Sequence, residues 1–210
     1  MRALVVAILV SLAIPARADD DAPELQHMRF VERGDDLHIT TTLTKLFDSA
    51  SYEGLDTGIP STVVIRLWVF PKDSTEPVGF QLLQRTVWYD LWDEVYMLRL
   101  DDPAGRRTLR VKYRAEALKL ITAIDDIPCA RLADLPYEAV YNLGMEVELN
   151  PVSKETLAEV RRWLSQGTGG GLDRGGSFFG SFVSVFVNPK IAEADRVLRL
   201  RSQPFFRPKP

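Results

Sequence analysis

The chain has 210 residues, 46% apolar and 26% charged, the balance of an ordinary folded protein with room for one generous domain. Collagen, bulk disorder and a multi-pass membrane protein are excluded by that balance. With 26 Lys and Arg against 29 Asp and Glu the formal charge is −3, so no global positive field gathers phosphates and nucleic acid is not an expected partner.

Met1-Arg2 supplies a positive start, Ala3 to Ile14 is apolar except for Ser11, and Ala16-Arg17-Ala18 sets small residues where a signal peptidase measures them. A signal peptide over 1–18 is predicted, cut between Ala18 and Asp19. At ~1.5 Å per residue its apolar run covers about 18 Å against a roughly 30 Å hydrocarbon core, so no retained membrane anchor is expected. Cys129 has no second cysteine to pair with and lies far from the cut, which excludes an intramolecular disulfide and a lipid anchor. The expected product is soluble, periplasmic or extracellular, and held by its core. Cys129 itself, in Ile127-Pro128-Cys129-Ala130, reads as a small buried apolar residue.

Residues 19–27 are acidic, contain Pro23 and read as a flexible lead-in, with a single domain expected over 28–203. Leu37 to Thr44 alternates with a period of two, turning Leu37, Ile39, Thr41 and Leu43 inward on a half-buried strand. Asp48 to Thr57, opened by Asp and Ser and stopped by Gly58-Ile59-Pro60, predicts a short helix. Thr62 to Phe70 is β-branched and aromatic and reads as a central strand apolar on both faces. Val78 to Leu100 predicts two extended segments with a bend near Tyr89-Asp90.

After the turn Asp101-Asp102-Pro103-Ala104-Gly105, alternation resumes from Arg106, so Val95–Leu100 and Arg106–Val111 form a hairpin. Ala117, Leu120, Ile121 and Ile124 mark one stripe of a helix over 116–124, ended by Asp125-Asp126-Ile127-Pro128. Tyr141 to Leu149 is the cleanest strand in the chain. A helix follows over 154–166, then a glycine-rich loop at 167–176, strands over 181–187 and 197–202, and an irregular proline-broken tail over 204–210. Many short strands, with helices too few for βαβ crossovers, predict a mainly β fold: an antiparallel, immunoglobulin-like β-sandwich with two or three peripheral helices.

Gly58-Ile59-Pro60 before a strand, Trp88-Tyr89-Asp90-Leu91-Trp92 in the next strand region, the strand Tyr141 to Leu149, and Asn150-Pro151-Val152-Ser153 before a helix ending in Trp163-Leu164 stand in an order that resembles a bacterial exported family known as domain of unknown function 4390. The resemblance covers roughly residues 37 to 202. It implies a bacterial, extracytoplasmic protein and brings no catalytic residues with it.

No complete catalytic set is legible. The glycine segment follows a helix and lacks the lysine of a phosphate loop, and Gly175-Gly176-Ser177-Phe178-Phe179 puts Phe where a nucleophile elbow needs glycine. His27 and His38 lack metal-ligand spacing, so neither a metal nor a cofactor is expected. On one continuous strand Trp88, Asp90, Trp92, Glu94 and Tyr96 would share a face, as in sugar-binding surfaces. Asp90 and Glu94 would then stand about 13 Å apart at ~3.3 Å per residue, too far for glycoside hydrolysis. Phe178 and Phe179 are further candidates for a docking surface. The expected function is that of an exported, non-catalytic accessory or binding domain of the cell envelope with a protein partner. The alternative is a carbohydrate-binding protein or glycoside hydrolase using the Trp88 to Tyr96 face. The oligomeric state is not legible.

Overall fold

The computed structural model describes residues 22–152 and 194–209. The predicted signal segment with its Ala18–Asp19 junction, the helix over 154–166, the glycine-rich loop, Phe178, Phe179 and the strand over 181–187 lie outside the described residues.

The fold is mainly β, with antiparallel sheets and two α-helices among the described residues. In chain order the elements are β1 (Glu24–Leu25), β2 (Arg29–Arg33), β3 (Asp36–Thr42), α1 (Ser49–Gly54) with a 3₁₀ turn at Leu55–Thr57, β4 (Ser61–Pro71), β5 (Gly79–Asp90), β6 (Val95–Asp102) and β7 (Gly105–Val111). There follow α2 (Arg114–Thr122), β8 (Ala123–Arg131), a 3₁₀ turn at Leu132–Asp134, β9 (Val140–Leu149), β10 (Arg196–Arg201) and β11 (Phe205–Phe206). The larger sheet runs β1-β10-β9-β4-β5-β6-β7, with β11 also on β9, and the smaller runs β2-β3-β8.

Period-two alternation decides which side of the larger sheet is dry. Val63, Ile65, Leu67 and Val69 of β4 and Tyr141, Leu143, Met145, Val147 and Leu149 of β9 are buried on one face. They share one core with Leu37 and Ile39 of β3, Ile124 and Ile127 of β8, and Ala117 and Ile121 of α2. The second face of β4, carrying Val64, Arg66, Trp68 and Phe70, is only half-buried, so the expectation of burial on both faces does not hold. Among the described residues the second layer covers one face only.

Two contacts hold β8 and α2 to the larger sheet. At Gly79 a Cβ would lie 2.7 Å from the Cβ of Ala130 and closer still to the Cys129 carbonyl oxygen, so only glycine lets β5 approach β8 this nearly. Arg85 is the second. It lies inward between Leu83 and Val87, is 2% exposed, and donates to the carbonyls of Leu120 (3.3 Å), Ile121 (3.1 Å) and Ala123, where α2 turns into β8. Its charge faces Asp102 at 3.7 Å, and Asp102 also binds Arg107 of β7 at 2.8 Å. Burial lowers the Arg85 pKa and Asp102 opposes that shift.

Several expectations are corrected. Part of the lead-in is ordered: β1 pairs parallel to β10, and the Gln26 N–H donates to the Arg201 carbonyl at 2.8 Å, satisfying backbone groups on an otherwise open edge. The tail is docked rather than irregular, because Phe205 stacks on Phe30 at 4.0 Å and Arg207 donates to Glu32 (2.7 Å) and to the carbonyls of Leu132 and Leu135 (both 2.7 Å). The helix expected over 116–124 runs Arg114–Thr122, and the stretch read as its stop belongs to β8. That strand accommodates Pro128 opposite His38 by register shifts, with Asp126 at φ 55°.

Gly79→Ala is expected to lower the unfolding free energy by about 1 to 3 kcal/mol, measured by urea denaturation, because the β5–β8 approach leaves no room for a methyl group. An unchanged midpoint would contradict that contact.

Candidate functional site: the Trp92 turn

The long aromatic tract Val78 to Leu100 folds back on itself. Asp90 pairs with Val95, leaving Leu91 to Glu94 as the turn between β5 and β6. The Asp90 carboxylate accepts the backbone N–H groups of Trp92 (3.0 Å) and Asp93 (3.1 Å), closing a side-chain-capped turn, and Glu94 completes the reversal in the left-handed region at φ 51°. Asp93 is further held by Arg110 of β7 at 2.9 Å. From this fixed backbone the indole of Trp92 projects into solvent, 96% exposed.

The turn is backed from below. Leu91 rests on Gly58, where an added Cβ would fall 3.3 Å from Leu91 Cδ1 and where φ is 80°. Tyr96, inward on β6, donates its hydroxyl to Asp56 in the 3₁₀ turn that ends at Gly58. Arg114, the first residue of α2, donates to the other Asp56 oxygen at 2.6 Å and lies over the Tyr52 ring at 4.0 Å. Burial, then the hydrogen bond and charge of Asp56, push the Tyr96 hydroxyl up to about 12. One carboxylate thus joins the α1 region, β6 and α2 beneath the turn. Ile59, Leu91 and Tyr113 are exposed along with Trp92.

The five residues that one continuous strand would set on one face are therefore dispersed, and the bend expected near Tyr89-Asp90 falls at Leu91 to Glu94. Trp88 is half-buried on the outer face of the larger sheet beside Met97, Asp90 caps the turn, Trp92 stands at its tip, Glu94 ends it, and Tyr96 is buried on the opposite face. The continuous strand that would align them is interrupted because the chain reverses after Asp90, whose carboxylate binds two N–H groups of the turn. No flat groove is built from Trp88, Trp92 and Tyr96. The residues missed at the sequence level are Asp56, Arg114 and Tyr52, remote in sequence from the turn. Leu91 and Glu94 flanking Trp92 and Asp93 between two β-rich runs were the local signal for a four-residue hairpin.

Other chemistry is occupied by structural contacts. Cys129 is buried, its thiol donates to the Leu37 carbonyl at 3.2 Å, and burial pushes its pKa up to about 12. His38 Nδ1 meets the Asp126 carbonyl at 3.0 Å and the Asp126 carboxylate at 3.1 Å. A cavity of about 510 Å³ lies where the described chain leaves at Val152 and returns at Ala194, lined in part by Asp48, Ser51, Ser61, Asn150 and Arg196. Several of its polar groups are already engaged. Asp48 caps α1, accepting the Ser51 hydroxyl at 2.6 Å and the Ser51 N–H at 2.9 Å, bonds that lower its pKa, while Asn150 accepts the Thr62 N–H at 2.7 Å and donates to Asp195 at 2.8 Å. Among the described residues no group of three or more metal-ligating side chains gathers, and no helix is long and apolar enough to cross a membrane.

No family model matches the chain, and neither a curated protein nor a solved structure matches it.

Tyr96 carries a pH prediction. The neutral phenol is favoured in the folded state, so its contribution is complete below pH 10 and is lost as pH rises towards 12. Spectrophotometric titration of Tyr96→Phe is expected to lack one tyrosinate equivalent of the wild-type step near pH 12. Loss of that equivalent from the ordinary tyrosine range near pH 10 would contradict the Asp56 contact.

Proposed function

We propose that this chain is an exported, non-catalytic accessory domain of the bacterial cell envelope, and that it binds a protein partner through the Trp92 turn. The amino-terminal pattern over 1–18 supports the export, and the ordered features over 37–202 support the resemblance to domain of unknown function 4390. The architecture is read as a lopsided β-sandwich. Its eight and three strands differ from the near-equal layers of an immunoglobulin domain, so the immunoglobulin-like label is the weaker part of that description.

The observation that carries the binding role is a fully exposed tryptophan on a preorganised turn. Large aromatic anchors dominate protein interfaces, and a turn already fixed in the free protein loses little conformational entropy on binding. Asp90, Asp93 and Glu94 neighbour Trp92 in the same turn, so the fitting partner has an apolar pocket rimmed by basic side chains. An anionic membrane surface is a poor match for that acidic rim.

A photo-cross-linking residue at position 92, in the full chain exported by bacterial cells, is expected to yield a discrete protein adduct that the same residue at Gln84 does not. Trp92→Ala is expected to change stability by less than about 0.5 kcal/mol in urea denaturation, since no described residue covers the side chain. Absence of an adduct, or hydrolysis of a generic ester, peptide or glycoside by purified protein that a single Asp or Ser substitution abolishes, would contradict the reading.

A further inference from the structure

A second surface is carried by a different observation, and Arg110 joins it to the Trp92 turn through Asp93. The sheet order ends at β7, and no described strand pairs with its outer edge. The opposite end is partly closed by β1, which covers Leu200 and Arg201 of β10. In the smaller sheet the edges are β2, which is shorter and whose Glu32 is clamped by Arg207, and β8, which packs against β5 at Gly79. The strand β7 thus presents seven exposed or half-buried residues, and no described strand takes up the backbone groups along its outer side.

Its side chains sort by face. Arg106, Thr108 and Arg110 stand on the outer face, opposite Asp101, Arg99 and Met97 of β6, while Leu109 and Val111 turn inward and pack against the core. Arg106 and Arg110 remain more than half exposed although each already meets one carboxylate, Asp101 at 2.5 Å and Asp93 at 2.9 Å. A guanidinium has five N–H donors, so each retains donors for an incoming acid. A strand added to this edge would set its outward residues beside Arg106 and Arg110 and its inward residues beside Leu109 and Val111.

We infer that β7 accepts an extended peptide segment of a partner protein as an additional strand, and that the segment alternates acidic and apolar residues. Main-chain hydrogen bonds to the open edge supply the attachment, and the two face-specific rows supply the choice of sequence. The same charges disfavour a second copy of this chain, because pairing β7 with itself would bring Arg106, Arg107 and Arg110 together with their own counterparts.

The test uses the full chain and a fluorescein-labelled synthetic peptide as long as β7, alternating glutamate and valine, read by fluorescence anisotropy. A second peptide of identical sequence is N-methylated at alternate amides, which preserves charge and removes strand pairing. The expected result is binding of the first peptide, weakened by salt, about tenfold weaker to Arg106→Glu/Arg110→Glu, and lost with the N-methylated peptide. Slowed amide exchange confined to β7 on peptide addition is the second expected readout. Absence of binding overturns the inference, as does equal binding of the N-methylated peptide, which would reduce the effect to charge adhesion. A dimer in sedimentation velocity that Arg106→Glu/Arg110→Glu dissolves also overturns it, since a second copy would then own the edge. Arg29→Glu, the same charge reversal at one exposed position of the smaller sheet, serves as the control and is expected to bind the peptide like the wild type.

Discussion

The Arg85 guanidinium is the interaction on which the rest of the structure depends. It sits where the chain leaves the larger sheet through α2 and enters the smaller one as β8, and its N–H groups take up carbonyls that the end of a helix leaves without partners. An arginine suits this position because its fork of donors reaches several carbonyls and Asp102 together. A buried charge of this kind is costly to desolvate, so its value lies in fixing one crossing geometry rather than in adding much net stability. Apolar side chains at the same level would pack without specifying where α2 stops.

That fixed crossing is transmitted to both proposed surfaces. Through Asp102, Arg85 is connected to Arg107 and so to β7, the last described strand of the larger sheet. At the other end of α2, Arg114 and Tyr96 share Asp56, which sets the 3₁₀ turn and with it Gly58, the seat of Leu91. The exposed groups Trp92, Arg106 and Arg110 therefore stand on a frame fixed by the contacts of Arg85, Asp102, Asp56 and Arg114. Recognition elements carried on such a frame need not be ordered again when a partner arrives.

Much of the β framework was legible in the amino-acid sequence because alternation is a local signal. The inward row Tyr141, Leu143, Met145, Val147 and Leu149, the hairpin of β6 with β7, and the Asp48-capped helix all follow from neighbouring residues. What was not legible depends on distant partners. The stretch Asp125-Asp126-Ile127-Pro128 looks like a helix stop and becomes a strand only because β3 offers a ladder with bulges to absorb Pro128. The tail beyond Pro204 looks irregular until Phe30, Tyr141 and Glu32 are placed beside it. The aromatic tract around Trp92 was read as two strands with a bend near Tyr89-Asp90, and the reversal falls just beyond, at Leu91 to Glu94, because the two bonds that Asp90 makes to the turn have no signature in periodicity. Arg85, a single charge on the inward row Leu83, Arg85, Val87, was the one local anomaly that pointed at the crossing.

The central claim is tested most directly by Arg85→Met, which keeps the length of the side chain and removes its charge and donors. Urea denaturation with amide exchange across residues 114–131 is the measurement. A loss of about 3 kcal/mol is predicted, with the last turn of α2 and the start of β8 exchanging first and Arg85→Lys failing to restore them. Unchanged stability and unchanged exchange in Arg85→Met would contradict the account.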